Sequence, residues 1–168
     1  SEFRYSPPPL LPNTLTIGVT QSGETADTIA AIDMEIKRRS SKEDKKFTPN
    51  LIAITNRKES SIGRQVLNII DICAGIEVGV AATKTFFGQL LSFYGLAIKF
   101  AQIKGTQSSD EINKLITELI KLPPLIEDLL EQHNESSEKL AHDFFNIKDV
   151  IFLGRGINYP IALEGALK

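Results

Sequence analysis

Three hydroxyl side chains and a glycine fall within residues 20–25, where the pattern of the sequence changes. An apolar, β-branched run precedes this segment, and isoleucines at helical spacing follow it. The first N–H groups of a helix lack partners inside the helix, and the helix dipole is positive at that end. A phosphate or sulfate can therefore bind there without a lysine. The alternative is that Ser22 or Thr25 only caps the helix.

Four further charged residues could take part in chemistry, and each has a simpler explanation. Glu77 and Lys84 flank a loop and could form an acid–base pair, although charged residues at loop ends are more often solvated or structural. Arg155 lies between two glycines and could reach an anion or tie two segments together. Lys168 follows Glu164 at the spacing of a helical ion pair, and without other information that pair explains it.

The sequence predicts no metal site and no cofactor. His133 and His142 lie nine residues apart in a charged segment, and we expect both at the surface. Cys73, the only cysteine, ends an apolar run without a basic neighbour, so we expect a small core residue. A single cysteine excludes an intramolecular disulfide and is typical of a reducing compartment, which predicts a cytoplasmic location.

The elements that must position residues 20–25 follow from three apolar runs, at 15–20, 51–55 and 69–73. Helical patterns separate these runs, and strands that alternate with helices predict a three-layer α/β fold with a parallel sheet between helices. The charged stretch 37–50, between the first helix and the second strand, is interpreted as a solvated loop.

The second half of the chain is predicted to be mainly helical. An apolar helix covers about 83–103 and ends near Gly105, and an amphipathic one covers 111–121. Two prolines then interrupt the pattern, and further helices are expected from Pro124 and from about Ser136. A fresh strand is predicted for residues 150–153, followed by a helix from Tyr159 to Lys168.

The overall charge excludes several classes of partner. The chain has 168 residues, with 19 basic and 21 acidic side chains and a net charge of −2, so no field attracts nucleic acid or an anionic membrane. The longest apolar run, residues 86–101, carries polar residues and is short for a membrane span. Nothing at the start resembles an export signal. An anionic ligand must therefore be bound by local groups.

Several segments, in the same order and spacing, resemble the sugar isomerase (SIS) domain. Residues 22–28 resemble its phosphate loop and residues 79–84 its central loop. Further similarity lies in residues 1–5, before the first strand, and in 153–156, at the opening of a second SIS unit. Residues 159–168 are the most diagnostic, because they resemble the isomerase half of the glutamine:fructose-6-phosphate amidotransferases, the glucosamine-6-phosphate synthases.

The resemblance implies roles for particular residues. It places a contact to the sugar phosphate at Thr20, Gln21, Ser22 and Thr25, with Gly23 allowing close approach of the backbone. Val80 and Ala82 would line the sugar side, although the family commonly has serine at the position of Ala82. Lys168 matches a family lysine that assists proton transfer.

The resemblance also implies an organisation and a reaction. Residues 1–103 correspond to a first SIS unit without its first strand, 104–147 to a helical connector, and 148–168 to the start of a second unit. The parent enzyme converts fructose-6-phosphate and glutamine-derived ammonia to glucosamine-6-phosphate, and would contain a glutamine-amidotransferase domain and form a homodimer. The family's base, ring-opening histidine and imine-forming lysine would follow Lys168, so the chain alone is expected to be inactive.

Two other functions remain open from the sequence. A regulatory SIS module could sense sugar phosphates without catalysis. Residues 159–168 argue against it, whereas a DNA-binding helix-turn-helix upstream would argue for it. A nucleotide-binding α/β domain is the other, but no complete Gly-x-Gly-x-x-Gly fingerprint follows any strand.

Overall fold

The computed structural model describes residues 2–168 and contains both strands and helices. The strands are β1 (Leu15–Val19), β2 (Asn50–Thr55) and β3 (Asn68–Asp71). The helices are α1 (Glu2–Tyr5), α2 (Ala26–Ser40), α3 (Ser61–Gln65), α4 (Lys84–Lys104), α5 (Ser109–Ile120), α6 (Leu122–Phe144) and α7 (Asn158–Leu167). A 3₁₀ turn, Lys45–Phe47, precedes β2. The chain divides into two compact units, one ending at Ala97 and one beginning at Ile98.

The sheet of the first unit is parallel throughout, with its strands in the order β1, β2, β3. Its register places Val19 opposite Ile54 and Thr55 opposite Asp71. A helix follows each strand, because parallel neighbours need a crossover connection. The prediction of an α/β fold with a parallel sheet formed by three apolar runs is confirmed. All three strands end at the same edge of the sheet, and ligands of open α/β sheets bind at this edge.

α2 and α3 bury the apolar face of the sheet. The core consists of Ile32, Ala53, Ile62 and Val66, with Ile29, Ile36, Leu51 and Ile69 packed against it. Ile32 belongs to the isoleucine stripe that predicts α2. Gly18 of β1 lies so close to this helix that an added Cβ would come within 2.8 Å of Ile32 Cδ1. The core therefore fixes α2 against β1 and sets where the helix begins.

The end of α2 corrects the prediction of a solvated loop for residues 37–50. The helix continues to Ser40, and Arg39 is buried. Its Nε donates to Glu35 Oε1 at 2.6 Å, and its Nη1 donates to the Leu11 carbonyl at 3.2 Å. Arg38 also binds the Glu35 carboxylate, at 3.3 Å. The physical reason is that a buried arginine needs a partner, and a glutamate one helical turn away supplies it. Charge density alone does not reveal such pairing.

The second half of the chain is mainly helical, as predicted, but the bounds of the helices differ from the prediction. α5 begins with a complete capping box between Ser108 and Glu111. α6 begins at Leu122, so its prolines lie in the first turn, where a missing N–H costs nothing. The separate helix predicted near Ser136 is wrong, because α6 runs unbroken to Phe144. Gly105, with φ of 64°, follows the end of α4 as predicted.

The predicted strand at residues 150–153 is also wrong. Residues 147–155 form no regular secondary structure, and the side chains of Val150 to Leu153 are exposed. A strand needs a neighbour to satisfy its backbone groups, and within residues 2–168 the sheet pairs only β1, β2 and β3. The apolar pattern is therefore present without the partner that would make it a strand. No helix formed by the described residues is long and apolar enough to cross a membrane.

Candidate functional site

The turn at residues 20–25 joins the end of β1 to the start of α2 and is braced by its own hydroxyl groups. Thr20 is buried, and its Oγ1 accepts the N–H of Gly23 at 3.2 Å. The same oxygen lies 3.3 Å from Thr25 Oγ1. Ser22 Oγ accepts the N–H of Glu24 at 3.1 Å. The structure therefore brings the predicted residues of this turn together in one compact loop.

The start of α2 is not capped by a side chain. Thr25 occupies the N-cap position and makes no side-chain cap hydrogen bond, while its carbonyl accepts the N–H groups of Thr28 and Ile29 at 3.0 Å. The alternative that Ser22 or Thr25 serves only as a cap is thus not what the structure contains. Asp27 in the first turn pairs with Arg4 at 2.8 Å, and this hydrogen bond lowers its pKa. The positive end of the helix dipole lies beside the turn.

Gly23 allows the turn to pack directly on α3. Its φ is 70°, and an added Cβ would lie 1.9 Å from Ser60 Oγ. The carbonyl of Gly23 accepts the N–H of Ile62 at 3.2 Å. The Glu24 carboxylate accepts the hydroxyl of Ser61 at 2.6 Å and its N–H at 2.8 Å, and these bonds lower the pKa of Glu24. The turn is therefore held by contacts to α3 and its N-cap as well as by its own hydrogen bonds.

An open cleft lies where β1 and β2 end. Its volume is about 510 Å³. The residues that line it are Gln21, Ser22, Asn56, Arg57, Gly75, Ile76 and Glu77. Gln21 and Ser22 form one wall, and the segment 73–77 forms the other, with Gly75, Ile76 and Glu77 lining the cleft. The lining contains a hydroxyl, two carboxamides and a guanidinium, which are groups that bind the oxygens of phosphates and sugars, and it also contains the Glu77 carboxylate.

Glu77 anchors the loop that leads to α4. Its carboxylate accepts the hydroxyls and the backbone N–H groups of Thr83 and Thr85 at 2.7 to 3.3 Å. Thr85 is fully buried in the first turn of α4. These hydrogen bonds, led by the Thr85 hydroxyl, lower the pKa of Glu77 to about 2. Glu77 is therefore a charged structural cap, and the structure does not pair it with Lys84 as an acid and base.

Val80 and Ala82 lie in the same loop but outside the cleft. Val80 is fully exposed and Ala82 is half-buried. Among the described residues, those that line the cleft do not include either of them. Cys73, predicted as a core residue, is exposed at the start of this loop with φ of 51°. It leaves the core because the chain turns away from the sheet directly after β3.

The remaining charged candidates lie in the second unit. Lys168 Nζ lies 2.8 Å from Glu164 Oε1, which is the ion pair that their spacing predicts. Arg155 is exposed in the turn before α7. His133 and His142 are exposed on α6, as predicted. Within the part of the chain that the structure describes, no group of three or more His, Cys, Asp or Glu side chains could hold a metal ion.

Sequence reasoning missed Asn56 and Arg57 as cleft residues. Both follow β2 directly, at the carboxyl edge of the sheet. The sequence did contain a signal for them. Ligands of parallel sheets bind beyond the carboxyl ends of neighbouring strands, so polar residues directly after β2 are candidates for the same reason as those directly after β1.

Comparison with known proteins places the chain among sugar isomerase domains. A family model described as "SIS domain" matches residues 1–99. The whole chain aligns at 57% identity with 27% of "Glutamine--fructose-6-phosphate aminotransferase [isomerizing]" from Thermosynechococcus vestitus. The relative of the same name from Synechocystis sp. is 56% identical and is covered over 26% of its length. The chain thus spans about a quarter of the length of these relatives.

A solved structure agrees with this comparison. The C-terminal domain of glucosamine-fructose-6-phosphate aminotransferase from Francisella tularensis has a TM-score of 0.85 and 32% identity. The match covers 99% of this chain and 44% of that one.

Proposed function

Because the chain belongs to the SIS domain family, we propose that its cleft binds the phosphate of a sugar phosphate within the isomerase part of an aminotransferase. The substrate we propose is fructose-6-phosphate and the product glucosamine-6-phosphate, as the names of the relatives suggest. One observation carries the proposal: a hydroxyl-rich turn lies between the end of β1 and the uncapped start of α2, and opens on a cleft of about 510 Å³.

The turn offers a phosphate two kinds of donor. We propose that Ser22, Gln21 and Thr25 contact the phosphate together with N–H groups at the start of α2. Thr20 is already engaged with Gly23 and Thr25, so its proposed role is to hold the turn while sharing its hydroxyl. Gly23 lets the turn rest on α3 and leaves the opposite side to the ligand. Charge-assisted hydrogen bonds of this kind contribute about 1.5 to 3 kcal/mol each.

The sugar end of the ligand would lie against the second wall. We propose Val80 and Ala82 as contacts there, which requires residues 78–82 to bend toward the cleft from their anchors at Glu77 and Thr85. Arg57 adds a guanidinium to the lining, which can donate hydrogen bonds to phosphate oxygens. The Glu77 carboxylate in the same lining is already engaged by four hydrogen bonds from Thr83 and Thr85.

Lys168 is proposed to assist proton transfer between adjacent sugar carbons. Its ammonium group lies 2.8 Å from the Glu164 carboxylate, which orients the side chain. A glutamine-amidotransferase domain belongs to the proposal, supported by the names of the relatives, and so does a cytoplasmic location, supported by the single cysteine. A homodimer is proposed from the resemblance to the family alone.

A ligand titration tests the proposal. Calorimetry with fructose-6-phosphate, glucosamine-6-phosphate and inorganic phosphate should give measurable affinity for the parent chain. Ser22→Ala and Thr25→Ala should each weaken it about tenfold, because each removes a donor to a charged group. Ser40→Ala, at the other end of α2, is the matched control and should bind like the parent. If both variants of the turn at residues 20–25 bind as tightly as the parent, the site lies elsewhere.

A further inference from the structure

We infer that Asn56 is a positioning residue, whose side-chain amide holds the segment 73–77, the second wall of the cleft, at the separation that a sugar phosphate requires. The inference rests on the proposed function and adds a residue that determines which phosphate ligands fit. Asn56 follows β2, the central strand of the sheet, so it lies between the two walls.

Asn56 contacts both walls at once. Its backbone N–H donates to the Gln21 carbonyl at 3.1 Å, on the phosphate side. Its side-chain Nδ2 donates to the Gly75 carbonyl at 2.6 Å, and its Oδ1 accepts the Ala74 N–H at 2.9 Å. The main chain of Asn56 thus serves one wall and its side chain serves the other.

The wall that the side chain holds has an unfavourable backbone conformation. Cys73 has φ of 51° and Gly75 has φ of 65°, and a left-handed conformation costs a residue other than glycine about 1–2 kcal/mol. Asp71 Oδ1 accepts the Cys73 N–H at 2.9 Å, and this bond lowers the pKa of Asp71. Asn56 supplies the next two bonds along the chain, so it determines the path of residues 74 and 75.

The chemistry of the amide explains why asparagine occupies this position. The wall presents one donor, at Ala74, and one acceptor, at Gly75, and a carboxamide matches both. Aspartate would keep the bond from Ala74 but would oppose the Gly75 carbonyl with a negative charge. Alanine would lose both bonds while leaving the backbone bond to Gln21 in place.

Because the main chain and the side chain of Asn56 contact different walls, loss of the side chain should affect the binding of different ligands unequally. Removal of the side chain should leave the turn at residues 20–25 intact, because its contact is made by the Asn56 backbone. Inorganic phosphate, which fits in that turn, should bind as before. Fructose-6-phosphate, which also reaches the second wall, should bind more weakly. A general loss of folding would instead weaken both ligands together.

The test compares the full chain with Asn56→Ala and with Asn68→Ala, an exposed asparagine at the opposite end of the sheet. We expect Asn56→Ala to weaken fructose-6-phosphate binding about tenfold and inorganic phosphate less than about twofold, and Asn68→Ala to change neither. Equal losses for both ligands, or no loss for either, would overturn the inference. A parent chain that binds neither ligand would instead contradict the proposed function.

A second measurement needs no ligand. Amide hydrogen exchange followed by NMR should find the Ala74 N–H protected in the parent and in Asn56→Asp, which keeps the acceptor, and unprotected in Asn56→Ala. Equal exchange of Ala74 in the parent and in Asn56→Ala would show that the side chain does not hold the wall.

Discussion

At the scale of single residues, two close contacts determine the shape of the cleft. Gly23 rests against Ser60 with no room for a side chain, and Glu77 collects four hydrogen bonds from Thr83 and Thr85. The first contact sets the turn at residues 20–25 against α3, and the second sets the start of α4. Each contact therefore fixes the backbone of a segment beside the cleft.

Replacing Gly23 by alanine should destabilise the chain by about 2 to 5 kcal/mol, the sum of a left-handed backbone and an overpacked contact. The added Cβ would meet Ser60 Oγ at 1.9 Å and Ser60 Cβ at 2.3 Å. Gly95→Ala in α4 is the matched control, because nothing lies within 4 Å of its Cβ position. It should be neutral or stabilising by up to about 1 kcal/mol. Urea unfolding of both variants checks this, and equal free energies of unfolding would contradict it.

The low pKa of Glu77 predicts a dependence of stability on pH. The folded value of about 2 lies below the ordinary 4.5, so the folded state favours the carboxylate. Its contribution is complete above pH 4.5 and disappears as the pH falls toward 2. Glu77→Gln should therefore lower Tm near neutral pH, and the difference should shrink below pH 4.5.

Thermal unfolding across this pH range measures the effect. Glu43→Gln, in an exposed segment after α2, is the control and should follow the parent at every pH. A Glu77→Gln curve parallel to that of the parent would show that the carboxylate charge is not what caps α4.

At the scale of elements, α2 connects the cleft to the start of the chain. Its first turn follows the turn at residues 20–25, and its last turn holds Arg39 and Arg38 against Glu35. Both arginines also bind main-chain carbonyls, Arg39 that of Leu11 and Arg38 that of Pro8. The segment before β1 is thus attached to the helix that follows β1, which restrains both ends of that strand.

Replacing Arg39 alone should lower the free energy of unfolding, whereas replacing both Arg39 and Glu35 should lower it much less. Arg39→Met leaves the Glu35 carboxylate buried with Arg38 and the Thr16 hydroxyl as its remaining partners, and we expect a loss of about 3 kcal/mol. The double variant Glu35→Met with Arg39→Met should recover most of this loss, because apolar groups of similar size need no partner. Urea unfolding of the three proteins tests this, and a double variant no more stable than Arg39→Met would refute it.

The elements also mark what the sequence can reveal. The runs that form β1, β2 and β3 are recognisable because each is apolar and is followed by a helical pattern. Residues 150–153 carry the same signal yet form no strand, because pairing depends on a neighbour that local pattern does not specify. Pro123 and Pro124 mark a helix boundary, but only the structure places them inside the first turn of α6.

The candidate site, too, could be predicted from the sequence only in part. The turn at residues 20–25 could be predicted because a strand, a glycine and a helix follow in order along the chain. The contacts of Asn56 and Glu77 could not, because their partners lie several residues or elements away and depend on how the chain folds. Burial of Arg39 beside Glu35 contradicts what a charged run normally indicates.

At the scale of the whole molecule, the two units differ in how much they bury. In the first, Ala53 and Ile54 of β2 are completely inaccessible to solvent. In the second, Ile112 is the buried apolar residue, and neither α6 nor α7 has a buried residue. Stability should therefore be distributed unevenly, because apolar burial is the main favourable term in folding.

Native-state hydrogen exchange should show this difference directly. We expect the amides of β2 to exchange at least about tenfold more slowly than those of α6, because poorly buried elements open locally at low free energy. The amides of Ala53 and Ile54 are the reference within β2, and those of residues 126–140 are the comparison within α6. Protection in α6 equal to that in β2 would mean that buried area does not govern the opening.

Cys73 provides a single site for a fluorescent label. It is the only cysteine in the sequence, its side chain is exposed, and it begins the wall that Asn56 holds. A thiol-reactive fluorophore would therefore attach at one position, beside the cleft, without any engineered residue. Ligand occupancy could then be followed as a change in emission at nanomolar protein concentrations, far below those that calorimetry needs.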